Sequence, residues 1–317
     1  MSSSYNRFDE SYTAAVRRSL ATFHENLSKG RLQDNGPLFT KDVQWNFDGS
    51  LLISRQSAIT TLQAVVNGIF DDAEASDLYL IVDGGVGAVL FELRGTPSVP
   101  QTGPFAGLDV VPGAPLNVRS AELMVYNEEA LVEQINTIDP LALLQSQLTG
   151  ASEAPPYDST FTRPANSQTS SAYRDMLRRR MVALHENVNS GQASRNAEMA
   201  DEGVEVVSTG RVSEKGRDAF VQLVSSHNAG QGAFLNKVFH DGYTLADGHL
   251  GAIDYVWQAA QESAYMGIAA DQSKSVRMRG MLFLEFNEEG LIVKATDVSD
   301  ESVIGTQLNL TGPFLYP

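Results

Sequence analysis

RRSLATFHENLSKG, from Arg17 to Gly30, recurs as RRRMVALHENVNSG, from Arg178 to Gly191. Both copies keep one tripeptide in place, His24-Glu25-Asn26 and His185-Glu186-Asn187, at an offset of 161 residues (185 − 24). Apolar residues in each copy fall at helical spacing. Val16, Leu20, Phe23 and Leu27 stand at i, i+4, i+7 and i+11, and Leu177, Met181, Leu184 and Val188 repeat the stripe. The pattern predicts a helix with one buried face that stops at Gly30 and again at Gly191.

Outward from this stretch the correspondence continues in order. VYNEEALVEQ (Val125 to Gln134) answers EFNEEGLIVKA (Glu285 to Ala295), and Tyr79–Gly84 answers Tyr243–Gly248. Three ordered anchors at nearly constant offset read as a duplication. The copies run from about Tyr12 to Asp139 and from about Tyr173 to Asp300, each the size of an independent domain. The expected organisation is a first domain over 1–139, a Pro/Ser/Thr-rich linker over 140–172 and a second domain with a C-terminal tail over 173–317. Within each copy a second helical pattern follows (Ala58 to Ile69; Ala219 to Leu223), and then the period changes. Leu78–Val82, Gly87–Leu93, Val118–Tyr126 and Leu131–Ile138 read as strands, with counterparts at Tyr243–Ala246, Gly251–Trp257, Val276–Phe286 and Leu291–Val298. Helices first and antiparallel strands after them define an α+β plan with a curved sheet over helices, which leaves room for a pocket.

The chain has 317 residues, with 39 acidic against 23 basic ones and a formal charge of −16. Such a balance speaks against a nucleic-acid or anionic-membrane surface, both of which need a Lys/Arg surplus. Cysteine is absent, which excludes disulfides, thiolate metal sites and a Cys nucleophile. Five scattered histidines lack metal-ligand spacing, and neither a phosphate loop nor a GxSxG elbow occurs. No metal and no cofactor are expected. The polar N-terminus does not read as a signal peptide and no apolar run is long enough to span a bilayer, so the expected location is cytoplasmic.

LFTKDVQWNFDGS (Leu38 to Ser50), TGPFAGLDVVPGAPLNVRSAELMVYNEEALVE (Thr102 to Glu133) and a closing acidic position resemble the SnoaL-like polyketide cyclases of the NTF2-like superfamily. The resemblance covers both copies. It implies two tandem cone-shaped α+β barrels, a cofactor-free acid/base activity on a hydrophobic polyketide- or terpenoid-like metabolite, and pairing of the two domains as an intramolecular pseudo-dimer, with further homo-oligomers open. Cyclase, isomerase, dehydratase and epoxide hydrolase all occur in that superfamily, and a non-catalytic ligand-binding or scaffold protein is the alternative. Its acidic residue near the end of the last strand falls on Asp297 in the second copy and, by counting, on Asn136 in the first.

A second carboxylate, Asp254, interrupts an apolar strand where the first copy has Leu90. Asp254 and Asp297 are therefore the expected catalytic pair, one acid and one base. The resemblance to epoxide hydrolases of that superfamily also implies an arginine between the two acids, for which Arg277 or Arg279 on the neighbouring strand would serve. Tyr255, Trp257, Tyr265, Met266 and Arg279 are the expected substrate-binding residues. Glu122, where the second copy has Leu282, is the candidate acid of the first copy, read equally well as a half-exposed strand residue. The repeated His24 and His185 read as shared structural inheritance.

Overall fold

The computed structural model describes residues 10–47, 50–102, 105–155, 169–209, 213–226, 232–265 and 267–308. These fall into two units, residues 10–155 and 169–308. The duplicated stretch opens each unit as a helix, α1 (Glu10–Ser28) and α4 (Ser171–Asn189). All of its stripe is buried except Val188, which is half-buried. Gly30 and Gly191 follow with φ of 64° and 74°, the left-handed stop that the sequence called for.

The structure explains why Asn recurs in the tripeptide. Asn26 donates to the side chain of Asn35 at 2.8 Å, and Asn35 donates back to the Phe23 carbonyl at 3.2 Å. Asn187 and Asn196 repeat both bonds at 2.8 and 3.0 Å. Each pair ties the end of its helix to the short 3-10 turn that follows. The hairpin Asn127 and Asn287 likewise repeat, each accepting two backbone N–H bonds across its turn.

The first unit continues with β1 (Phe39–Phe47), β2 (Ser50–Ile53), α2 (Arg55–Ile69), β3 (Glu74–Asp83), β4 (Val86–Gly95), β5 (Leu116–Tyr126), β6 (Val132–Ile138) and α3 (Leu141–Leu148). In the second come β7 (Ala200–Ser208), β8 (Glu214–Lys215), α5 (Arg217–Ser226), β9 (Val238–Asp247), β10 (Leu250–Ala260), β11 (Ser275–Phe286), β12 (Ile292–Ser299) and α6 (Ser302–Gln307). Among the described residues both sheets have six strands, in the orders β2-β1-β6-β5-β4-β3 and β8-β7-β12-β11-β10-β9. β1 runs parallel to β6 and β7 parallel to β12, while the other neighbours are antiparallel. The sheets are mixed and have free edges, so the expected closed barrels are corrected to open sheets wrapped on helices.

Strand alternation turns one face of the first sheet toward α1 and α2. Leu80, Val82, Val89, Phe91, Val118, Met124 and Ile135 share a core with Leu20, Phe23, Leu62 and Val66. α3 lies within the segment expected as linker, yet it belongs to the first unit. Its Gln147 side chain makes two bonds to the backbone of Asn117 on β5, at 3.0 and 2.9 Å. Among the described residues no helix is long and apolar enough to cross a membrane.

Candidate functional site

Glu122 lies in the middle of β5, on the face that carries Val118 and Met124 into the core, and is 3% exposed. An unpartnered carboxylate there would cost several kcal/mol, so its surroundings matter. Its cross-strand neighbour on β6 is Thr137, whose hydroxyl donates to Glu122 Oε1 at 3.2 Å. The Trp45 indole on β1 donates to the same Thr137 oxygen at 2.8 Å. Glu122 Oε2 faces His24 Nε2 of α1 at 3.4 Å. On its other side, His24 Nδ1 is 2.5 Å from Asp77 Oδ1 on β3. A polar line thus crosses the unit: Asp77, His24, Glu122, Thr137, Trp45.

Burial alone would drive the proton off His24. Asp77 and Glu122 outweigh it and push the imidazole up to about 10. At neutral pH a cationic ring therefore stands between two carboxylates. The 3.4 Å contact is an ion pair longer than an ordinary hydrogen bond, and Glu122 Oε2 has no hydrogen-bond partner among the described residues. Charge, more than a hydrogen bond, holds that oxygen to the His24 ring.

A cavity of about 40 Å³ opens beside Glu122, lined by Glu122, Thr137 and Asp139 and otherwise by apolar walls that include Trp45, Leu62, Val66, Phe70 and Phe91. At roughly 10–15 Å³ per water it holds about three waters or a small ligand group. One acid at the floor, a second residue of the same kind in the wall and aromatic sides make a setting for proton transfer on an apolar molecule.

The second unit rearranges this plan. His185 Nδ1 keeps its bond to an aspartate, Asp241 Oδ1, at 2.5 Å. Leu282 replaces Glu122, and its cross-strand partner on β12 is Asp297, 1% exposed. Asp297 therefore corresponds to Thr137; the pairing with Asn136 is corrected by one residue. The acid has moved to the neighbouring strand on the same rung. Tyr255 stands where the first unit has Phe91 and donates its hydroxyl to Asp297 Oδ1 at 2.8 Å. Burial, with Asp297 beside it, raises the Tyr255 phenol far above its usual range, so it stays a donor. Its hydroxyl passes where a Cβ on Gly280 would lie only 2.1 Å away, and the first unit has Ser120 at that place.

Asp254 is not brought to Asp297. Ile253, Leu282 and Asp297 form one rung, and Asp254, Met281 and Val298 the next, so the two carboxylates point to opposite sheet faces. Asp254 is held there by Arg279, whose Nε and Nη2 donate to its two oxygens at 2.7 and 2.8 Å. Arg279 is thereby a partner of Asp254 rather than a wall of the interior. The backbone of Arg277 bonds the Gln307 side chain. Tyr255 and Trp257 are fully buried and Tyr265 nearly so; Met266 lies outside the described residues. Sequence reasoning missed His24 as a partner of Glu122, although the repeated His with a repeated Asp at Asp77 and Asp241 was visible as a signal. Among the described residues no group of three or more His, Cys, Asp or Glu is arranged to hold a metal ion.

No protein-family model and no curated protein matches the chain. Solved structures similar to it include a candidate SnoaL-like polyketide cyclase from Jannaschia sp., at 11% identity and TM-score 0.39, over 46% of this chain and 100% of that one. A candidate polyketide cyclase from Xanthomonas campestris is 19% identical with TM-score 0.38, over 43% of this chain and 98% of its own. A protein of ketosteroid isomerase-like fold from Catenulispora acidiphila, solved with trimethylamine bound, is 13% identical with TM-score 0.34, over 41% and 91%. Each unit has the α+β plan expected from the sequence, a mixed sheet that follows its N-terminal helices.

Proposed function

We propose that the first unit is a cofactor-free acid–base enzyme whose cavity takes a small, mainly apolar molecule and whose Glu122 moves a proton on it. One observation carries this reading: a buried carboxylate lines an apolar cavity with one oxygen held by Thr137 and the other lacking a hydrogen-bond partner among the described residues. Glu122 is the catalytic residue, taking a proton from a carbon beside a carbonyl and returning it elsewhere, as in an isomerisation or aldol-type cyclisation. His24 and Asp77 are positioning residues that hold Glu122 from behind. The polyketide- or terpenoid-like class that the family resemblance implies is the natural source of such a substrate.

Small cyclic ketones in deuterated buffer test the idea, with exchange of their α-protons followed by NMR. The protein should accelerate exchange, Glu122→Gln should lower the rate about 100-fold, and added EDTA should change nothing. Asp254→Asn should leave the rate intact. Binding seen as a change in Trp45 fluorescence, with no exchange, would favour a ligand-binding module instead.

A further inference from the structure

The second unit carries a buried cation that the acid–base reading of the first unit does not use. Lys237, just before β9, is 9% exposed, and its Nζ lies 4.7 Å from the centre of the Trp257 ring. It donates to the Ser226 carbonyl at the C-terminal end of α5, at 2.6 Å. Among the described residues Asp297 and Glu301, 1% and 5% exposed, are charged groups that act on it, and Tyr265 donates to Glu301 Oε2 at 3.3 Å. The indole N–H of Trp257, fully buried, has no hydrogen-bond partner among the described residues. A helix cap alone would account for the bond to Ser226. It would not account for an aromatic floor, two buried carboxylates and an indole donor still lacking an acceptor.

We propose that this cluster is a second, covalent site, in which the Lys237 amine condenses with the carbonyl of a small aldehyde or ketone to form an imine. The neutral amine forms the new C–N bond through its lone pair, while Ser226 still accepts one N–H. The carbonyl oxygen leaves as water and carries away both amine hydrogens, relayed by Asp297 or Glu301, and the C=N bond closes. No oxidant or reductant enters the balance. Burial pushes the Lys237 amine down, Glu301 and Asp297 pull it partly back, and it settles at about 8, so a useful fraction is neutral at physiological pH. The Trp257 N–H supplies a donor for a polar atom of the bound compound.

The test uses the full chain with acetaldehyde and sodium cyanoborohydride, which traps an imine as an ethylated lysine. Peptide mapping by mass spectrometry compares Lys237 with the exposed Lys41 and Lys215. At pH 7, Lys237 should label about ten-fold faster than either, because burial lowers its amine and leaves more of it neutral. The ratio should shrink between pH 7 and pH 9, as the Lys237 amine becomes fully neutral and loses its advantage. Labelling of Lys237 at or below the rate of the exposed lysines at pH 7 would overturn the proposal and leave it a helix cap. A ratio unchanged between pH 7 and pH 9 would overturn it too. Neither outcome bears on the cavity of the first unit, because the readout does not involve Glu122.

Discussion

His24 is a protonated ring held by two carboxylates, and its contribution to stability therefore runs against the direction of acid denaturation. The unfolded chain loses this proton near 6.5 and the folded chain near 10. Between those values the folded state holds the extra proton, so the contribution is complete below 6.5 and disappears as pH climbs toward 10. Urea denaturation at pH 6, 8 and 10 should show a loss on the order of a few kcal/mol, and His24→Gln should flatten the slope. Ser54 offers a second test. It adopts φ 108° and ψ 145° as the cap of α2, where its hydroxyl accepts from Ser57 N, and Gly216 takes φ 100° at the matching junction before α5. A side chain in that conformation costs of order 1–3 kcal/mol, against a few tenths for exchanging a Ser cap for Gly. Ser54→Gly should thus raise stability by about 1 kcal/mol, read as a higher denaturation midpoint, and Gly216→Ser should lower it. At this scale Glu122 was legible as a candidate, but Thr137 was not matched to Asp297. The hairpin turn before the last strand has a glycine only in the second copy; Ala130 holds the left-handed position in the first, at φ 58° against 74° for Gly290.

Between the two sheets, one ion pair has slid along its strand. On the face away from α1, Arg119 pairs with Glu92 at 3.2 Å; on the equivalent face of the second sheet, Arg279 pairs with Asp254, two residues back along the strand. The arginine kept its place and the acid moved while keeping its face. Asp254 therefore tightens the β10–β11 ladder. Asp254→Leu should cost about 1–3 kcal/mol by orphaning a partly buried Arg, and adding Val256→Glu, which restores the first unit's layout, should recover most of it in chemical denaturation. Helices and hairpin strands were legible because their periods are clean. β1 was not, since its register shifts between Phe39 and Gln44 and its buried residues, Phe39, Val43 and Trp45, break strict alternation. The face of Asp254 relative to Asp297 was hidden for a related reason. Parity along one strand is visible in a sequence, whereas the pairing between strands depends on bulges such as that between Glu285 and Phe286.

Taken whole, the chain carries −16 charges, and self-repulsion works against its folded state. Raising ionic strength from about 0.01 to 0.15 M shortens the screening length from about 30 to 8 Å, so the melting temperature should rise by a few degrees; a fall would mean that attractive pairs dominate. The duplication was plain from three anchors, but not how differently the two interiors are filled, because that turns on side-chain volume at Phe91 and Tyr255, Ser120 and Gly280. The exchange of Glu122 and Thr137 for Leu282 and Asp297 has a historical consequence. Any stepwise path between the two layouts crosses an intermediate with either two facing acids or none on that rung. The first crowds like charges in the interior and the second leaves the histidine without its inner counterion. A single-copy ancestor would have been exposed to selection at that step. A chain already doubled had a second copy to shelter it, so the divergence of the two interiors is most simply dated after the duplication.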